Sequence, residues 1–503
     1  MNGSDGGASA RRVVMLVANG VVGDSRVQKI AWSMADAGWQ VTLVGRAAGG
    51  QVERFRLKDA AVLLVPVPKV VSGYERTRLR RAAAGAGADA GAGASDERRA
   101  QYRRARAELA ARDARTSGRL RSVAAASIRE WLDAHQAVDK QVGRLGTGPV
   151  GGGLKLAAAA AAGLTDPRGG WRQFNPWFAD LELAMAPAVA ALEPDLIHAH
   201  DFHMVGIGAR LAAALSTPEH QVRWVYDAHE YLAGIDVPKR WDARRRLRRR
   251  MLVGVEREYI RRADAVVTVS DGIAQRLAAD HRLPRKPLVV LNAPVIGTKA
   301  TGRRLRDDVG LGEEVPLLLY SGGMSPRRGV ATVIDALAPL ADVHAHLALI
   351  ARDEDPDVDA LRRRAEERGV AARVHVVPYV PVDEVVHYIE SATIGVVPIL
   401  HHPNHELSLI TKYFEYLHAC LPILTSDVRE MADTTRRLGV GEVFVAGDAA
   451  SLADAVRRMV ADLDGYRKVY AGPEDPRGAS LWEEQAGRLD GLYRQLTGRA
   501  EQD

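Results

Sequence analysis

Two segments in the second half of the chain carry residues suited to binding anions. The first is LYSGGMSPRRGVATVIDAL, starting at Leu319. An apolar run ends, Gly322 and Gly323 turn the chain, Arg327 and Arg328 follow, and a helical pattern opens near Val330. Glycines let a backbone approach a ligand closely, and a helix N-terminus attracts negative charge. Arg327 and Arg328 add charge-assisted hydrogen bonds of the kind a diphosphate accepts. Taken alone, the segment reads equally well as a strand-to-helix loop with solvated arginines.

The second segment is HHPNHELSLITKYFEYLHACLPILTSD, from His401 to Asp427. Lys412 and Glu415 are three apart and share one face of a helix. The ammonium suits a phosphate and the carboxylate suits ribose hydroxyls. Solvated Lys–Glu pairs contribute little, but Tyr413 and Phe414 argue for partial burial here. His401, His402 and His405 have no Cys or Asp at a metal-site spacing, so they read as a polar loop and no metal is expected.

The first half offers HAHDFHM, from His198 to Met204, directly after an apolar run. His200 and Asp201 fall at the carboxyl end of that strand, where a histidine can bond a sugar hydroxyl or phosphate oxygen. VYDAHEYLAG repeats the arrangement with Asp227, His229 and Glu230. A satisfied strand-end histidine is the plain alternative for each. The first loop supplies Gly20, Gly23, Asp24 and Arg26 but lacks a GxGxxG fingerprint.

The elements that must position these residues follow an α/β rhythm. Short β-branched runs at 13–18, 41–44 and 62–67, with a helix at 26–37, open a parallel sheet. The rhythm resumes at 196–199, 222–226, 265–269 and 288–291. After a linker at 298–306, a second series runs through 317–320, 346–350, 373–377, 394–398 and 423–425. Two doubly wound, Rossmann-like α/β units are expected, at 1–295 and 307–472, facing a central cleft, followed by a helix at 476–498. Ligands in such sheets sit beyond the carboxyl ends of the strands. Residues from about 75 to 170 break the pattern. They hold an Ala/Gly/Asp tract at 82–94, a charged helix expected over 97–131, and glycine-rich loops. This Ala/Arg-rich stretch reads as a partly disordered insertion, a spacer rather than an acceptor or membrane surface.

Composition sets the outer bounds. The 503 residues are 47% hydrophobic and carry 69 Lys+Arg against 63 Asp+Glu, a net charge of +6. That is ample apolar material for large cores. The single cysteine, Cys420, excludes an intrachain disulfide and fits a reducing compartment. The N-terminus has no signal-peptide core, and VVMLVA is too short to span a bilayer. The reading is a soluble, cytoplasmic protein. Six arginines fall at 244–250, from Arg244 to Arg250. They suit peripheral contact with an anionic membrane. No interleaved aromatics accompany them, so no nucleic-acid partner is expected.

In combination and order, DLIHAHDFHMVGIGARLA, VYDAHEY, RRADAVVTVSDGIAQRL, VVLNAP, YSGGMSPRRGV and TKYFEYLHACLPILTSD resemble the retaining GT-B glycosyltransferases of family 4. SLWEEQAGRLDGLYRQL resembles that family's last helix, which returns to the N-terminal domain. The resemblance spans nearly the whole chain except about 75–170. It implies hexosyl transfer from a UDP- or GDP-linked sugar to an acceptor hydroxyl, with retention and without a metal or other cofactor. Helix dipoles and basic residues would neutralise the diphosphate. The acceptor would lie in glycolipid, cell-envelope polysaccharide or secondary-metabolite glycosylation.

The resemblance also assigns roles. His200 stands at the donor sugar and its leaving phosphate. Arg328 replaces the usual Lys before Gly329. Lys412 binds phosphate and Glu415, the second Glu of an E-x7-E motif, binds ribose. Backbone groups near Tyr379 and Val380 read the base. Gly20, Gly23, Asp24, Arg26, Asp201, His229 and Glu230 fall on the acceptor or sugar side. Three positions depart from the pattern. The first Glu of E-x7-E falls at Leu407, one residue past Glu406. Gly323 stands in place of an arginine, and Ile410 and Cys420 replace Pro and Gly. Glu406 is taken as the catalytic-loop carboxylate of a HExxLPxKxFEY-like variant, with amides over 406–409 as substitutes. A catalytically silent scaffold that binds partners or a membrane is the rival reading.

Overall fold

The computed structural model describes residues 11–74, 92–116, 177–235, 243–296, 302–381, 383–473 and 475–498. The chain divides into two compact units. The first comprises 1–267, 277–288 and 490–503, and the second comprises 268–276 and 289–489. The division between them falls at 288/289, and the short segment 268–276 groups with the second unit.

The first unit is built on strands β1 (Arg12–Leu16), β2 (Gln40–Arg46), β3 (Glu53–Leu57), β4 (Ala60–Val65), β5 (Leu196–His200), β6 (Arg223–Ala228), β7 (Ala265–Thr268) and β8 (Leu288–Val289). Their order in the sheet is β3-β4-β2-β1-β5-β6-β7-β8. Apolar runs such as VVML in β1 are buried along their whole length, as parallel strands covered on both faces require. β3 escaped sequence reading because ERFRL is mostly charged and exposed; it pairs antiparallel with β4 at the sheet edge. Charged side chains there discourage edge-to-edge pairing.

The second unit carries β9 (Leu317–Ser321), β10 (His346–Ile350), β11 (Val374–Val377), β12 (Ile394–Val397), β13 (Ile423–Ser426) and β14 (Gly441–Phe444), in the order β11-β10-β9-β12-β13-β14. Alternate residues of β9 face opposite cores. Leu318 and Tyr320 join one apolar cluster, and Leu317 and Leu319 join the other.

Part of the 75–170 insertion is described. Its charged helix is described over Ala92–Thr116; the expected continuation to 131 and the rest of the insertion lie outside the described residues. The helix is docked: Ala105 is buried, Tyr102 stacks on Tyr74, and Arg112 lies 3.7 Å from the buried Glu182. This part is packed structure rather than a free spacer. The last helix, Trp482–Thr497, crosses the division at 489/490. Among the described residues no helix is long and apolar enough to cross a membrane.

Candidate functional site

In an open α/β sheet, the order of strands tells where loops splay apart. The second unit winds outward in both directions from the β9/β12 pair, so the crevice lies beyond the carboxyl ends of those two strands. The two sequence motifs arrive there. The helix Thr411–His418 buries Tyr413, Phe414 and Tyr416. The Tyr416 hydroxyl accepts from the Ser321 amide at 3.0 Å, and its ring lies where a side chain on Gly395 would stand. That contact ties the helix to the turn after β9. Lys412 and Glu415 remain together on the helix, with the ammonium 3.2 and 3.3 Å from the carboxylate oxygens. Their side chains are 26% and 7% exposed. The pair is therefore partly desolvated, unlike a surface pair.

The turn itself is shaped for close approach. Gly322 has φ +138, and a Cβ there would meet the Lys412 stem at 3.6 Å. The amides of Gly322, Gly323 and Met324 donate to nothing among the described residues. Gly329 has φ +72, and a Cβ would fall 1.8 Å from the Pro398 carbonyl oxygen. This contact seats the start of the helix Val330–Leu337 against the strand-end loop after β12. Arg327 donates to His402 Nε2 at 3.0 Å. The half-buried Arg328 side chain has no hydrogen-bond or ion-pair partner among the described residues. Tyr379, 49% exposed, points its hydroxyl at the Gly322 carbonyl across 3.5 Å, a long contact. Val380 beside it is half-buried. Amides without partners among the described residues, a guanidinium and an ammonium are groups to which an anion binds.

Glu406 is placed differently from the sequence expectation. One carboxylate oxygen accepts from His401 Nδ1 at 2.7 Å, and the other accepts from the Arg429 amide at 2.9 Å. His401 Nε2 also lies 3.0 Å from Asp427. The bond to Glu406, with Asp427 beside it, raises the His401 pKa above its ordinary value. Glu406 thus ties its loop to the start of the helix Arg429–Leu438. The amides of Glu406, Leu407 and Ser408 are also engaged, with His402, Asn404 and His405 carbonyls. Those of Leu409, Ile410, Thr411 and Lys412 have no such partner among the described residues. The amides expected over 406–409 are therefore shifted to 409–412.

In the first unit the sheet winds outward from β1/β5, and the second group of residues gathers there. The β5/β6 register sets His200 beside Asp227. His200 Nδ1 lies 3.2 Å from Asp227 Oδ2, and His229 Nε2 lies 3.2 Å from the same oxygen. Arg26 adds a two-point ion pair, Nε to Oδ2 at 3.0 Å and Nη2 to Oδ1 at 2.9 Å. Burial would raise the Asp227 pKa, but Arg26 and the histidines hold it well below the carboxylate range. Burial lowers His200 to about 3, helped by His198. Burial also opposes charge on His229, yet Asp227 outweighs it and raises that pKa. His200 is thus neutral, and its Nε2 has no partner among the described residues.

The remaining first-unit residues have local tasks. Asp24 caps the helix Ser25–Asp36, accepting from the Val27 amide at 3.3 Å and from Asn19 Nδ2 at 2.8 Å. Gly20 and Gly23 flank the loop tip, where Val22 is 84% exposed. Asp201 takes φ +64 and accepts from the Phe202 amide at 2.6 Å and from His203 at 3.1 Å. Strained backbone of this kind gathers at functional sites. Glu230 is exposed in the loop after β6. His198, His200 and Asp227 bring three ligand atoms within 4.8 Å. Arg26 already grips both oxygens of Asp227 and supplies the positive charge there.

Sequence reading missed Asp227 as the hub and His198 and Tyr493 as its neighbours. The signal for His198 was the period of two in HAH, which puts His198 and His200 on one strand face. Nothing local marked Tyr493.

Two such sheets with these strand orders define a GT-B fold, and solved structures agree. Sucrose-phosphate synthase from Thermosynechococcus elongatus superposes with a TM-score of 0.62 at 16% identity, covering 97% of this chain and all of that one. Anabaena HepE, solved with UDP and glucose, gives 0.56 at 12% identity, covering 96% and 99%. The chain belongs to the family 4, group 1 glycosyltransferases: residues 151–295 match Glycosyltransferase Family 4, and residues 315–462 match Glycosyl transferases group 1. Among curated relatives, 2-deoxystreptamine glucosyltransferase of Streptomyces kanamyceticus is 23% identical over 43% of this chain and 56% of its own length. D-inositol 3-phosphate glycosyltransferase 1 of Catenulispora acidiphila is 27% identical over 38% and 46%. The chain thus spans about half the length of these curated relatives.

Proposed function

We propose that this protein transfers a hexosyl group from a UDP- or GDP-linked sugar to an acceptor hydroxyl, with retention at the anomeric carbon. The observation that carries the reading is the partly desolvated Lys412–Glu415 pair, together with the amides of Gly322–Met324 and the Arg328 side chain, which have no partners among the described residues. Lys412, Arg328 and the amides bind the diphosphate, and Glu415 accepts from ribose hydroxyls. The bond from the anomeric carbon to the diphosphate oxygen breaks as the bond to the acceptor oxygen forms on the same face. The acceptor proton passes to the departing phosphate oxygen. Fixed positive groups stabilise the charge that develops on the leaving group, so the reaction proceeds without a metal. His200, neutral, offers its Nε2 lone pair to a sugar hydroxyl.

Sugar-nucleotide names recur among the similar proteins. Trehalose-6-phosphate from E. coli was solved with UDP-2-fluoro glucose, at a TM-score of 0.56. The acceptor is a polyol of the glycolipid, polysaccharide or secondary-metabolite kind. Arg246 and Arg250, both exposed, and the half-buried Arg249, on the helix Ala243–Tyr259, are the described part of a patch that holds the protein to anionic lipid in the cytoplasm.

Calorimetric titration with UDP and GDP, followed by a donor screen by mass spectrometry, tests the proposal. Binding of one nucleotide and consumption of its sugar conjugate are expected. Glu406 is engaged and Leu407 stands at the first E-x7-E position, which favours the silent-scaffold reading. Nucleotide binding without turnover of any donor or acceptor would select that alternative, and no binding of either nucleotide would defeat the site assignment.

A further inference from the structure

We infer that Tyr493 is a positioning residue for His200, acting by fixing the tautomer of His198. The inference rests on the reading of His200 as the sugar contact. His198 is fully buried and stacks on His200, ring centroids 4.2 Å apart and planes 12° from parallel. Its Nδ1 meets the Tyr493 hydroxyl, and its Nε2 lies 3.7 Å from Asp227 Oδ2. An ionised carboxylate only accepts hydrogen bonds. Nε2 has no hydrogen-bond partner among the described residues, but a bare Nε2 would turn its lone pair toward the carboxylate charge 3.7 Å away, so Nε2 carries the proton. Nδ1 is then an acceptor, and Tyr493 must donate to it. Burial first, with Asp227 nearby, raises the Tyr493 pKa well above its ordinary value, which keeps that proton in place.

His200 has the opposite assignment. Its Nδ1 donates to Asp227, which leaves the Nε2 lone pair free for a sugar hydroxyl. The bond made by one ring nitrogen decides the state of the other. Should His198 carry its proton on Nδ1, its Nε2 would repel Asp227. The ring would turn, and the His200 ring stacked on it would lose its support.

Tyr493 is itself held firmly. The Trp39 ring meets it edge-on at 5.6 Å, and Trp39 Nε1 donates to Asp490 Oδ1 at 2.7 Å. Asp490 also accepts from Arg494 at 2.7 Å. The tautomer is thus set by the final turns of the last helix, a long way along the chain from the histidines.

Tyr493→Phe removes only the hydroxyl donor. Nitrogen-15 NMR of histidine-labelled protein should show His198 protonated at Nε2 in the wild type and a mixture of tautomers in the variant. Turnover should fall roughly ten-fold with the donor KM little changed, comparable to losses on removing groups that orient histidine ligands. Trp39→Phe keeps the Tyr493 hydroxyl, so it should lower stability and leave the tautomer alone. Protonation of His198 at Nδ1 in the wild type, or an unchanged tautomer in Tyr493→Phe, would overturn the inference. The expected tautomers in a protein that turns over no donor would uphold the tautomer assignment and defeat the functional reading instead.

Discussion

Arg26 and Asp227 form a two-point ion pair whose side chains are only 4% and 0% exposed. The carboxylate at its centre is also the acceptor shared by His200 and His229. A buried ion pair of this kind adds little net stability over an apolar pair, but losing one partner strands the other charge. Arg26→Ala should therefore cost about 3–5 kcal/mol. Arg26→Ala with Asp227→Asn should recover part of that loss, because the stranded charge is gone. Urea denaturation of the single and double variants measures both, and a single-variant loss below about 1 kcal/mol would contradict the pairing.

Gly329 and Pro398 approach so closely that no side chain fits between them. A Cβ at Gly329 would sit 1.8 Å from a backbone oxygen, at a φ of +72. The left-handed backbone alone costs about 1–2 kcal/mol for a residue with a Cβ, and the overlap forces the β12 loop outward. Gly329→Ala should destabilise by roughly 3 kcal/mol or more and weaken nucleotide binding. Gly323 has nothing within 4 Å of a Cβ and no positive φ. Gly323→Ala should leave stability within about 0.5 kcal/mol. Thermal unfolding of the two alanine variants decides it, and equal shifts would refute the contact.

The contrast between these two glycines shows what a sequence exposes. Parallel strands are continuous apolar runs, so twelve of the fourteen strands among the described residues were legible from the sequence, β10 to the residue. β3 and β14 were not, because ERFRL and GEVF mix charge into short segments. Lys412 and Glu415 were legible because their relation is local: three residues on one helix fix it. Glu406 misled because its neighbours in the chain do not reveal its partners. Its carboxylate is engaged by His401 and by the amide of Arg429, and the latter contact comes from the packing of another helix. Asp227 and Tyr493 were obscure for the same reason. Their roles depend on strand register and on the docking of a distant helix, and neither leaves a periodic trace.

Lys412 and Glu415 should separate in their effects on nucleotide binding. Lys412 supplies a charge to phosphate, and a hydrogen bond to a charged group contributes about 1.5–3 kcal/mol. Lys412→Ala should weaken UDP or GDP binding by roughly ten- to a hundred-fold. Glu415→Gln keeps the shape and one acceptor oxygen, so its loss should be nearer five-fold, about 1 kcal/mol. The Lys412 effect should shrink for the nucleoside without phosphates, while the Glu415 effect should persist. Calorimetry with UDP, UMP and uridine, or the guanosine series, reads this directly. Equal losses across the phosphate series for both variants would break the assignment of roles.

Acid should loosen the first unit through its buried histidines. His200 is held down to about 3, and His198 is lowered as well, both chiefly by burial. In the unfolded chain each titrates near 6.5. Between those values the unfolded state binds protons that the folded state refuses, so stability falls as pH drops below about 6.5. His229 has the opposite sign, since its pKa is raised. Its contribution is fully present below about 6.5 and is lost as pH rises through its folded value. Below 6.5 it is protonated in both states and cannot offset the other two. Unfolding free energy should therefore decline from pH 7 to pH 5, by up to about 1.4 kcal/mol per pH unit for His200, with His198 acting in the same direction. His200→Gln should flatten that slope by keeping the volume and removing the titration. Urea melts across this range test it, and a wild-type slope unchanged by the substitution would show that His200 is protonated in the folded protein.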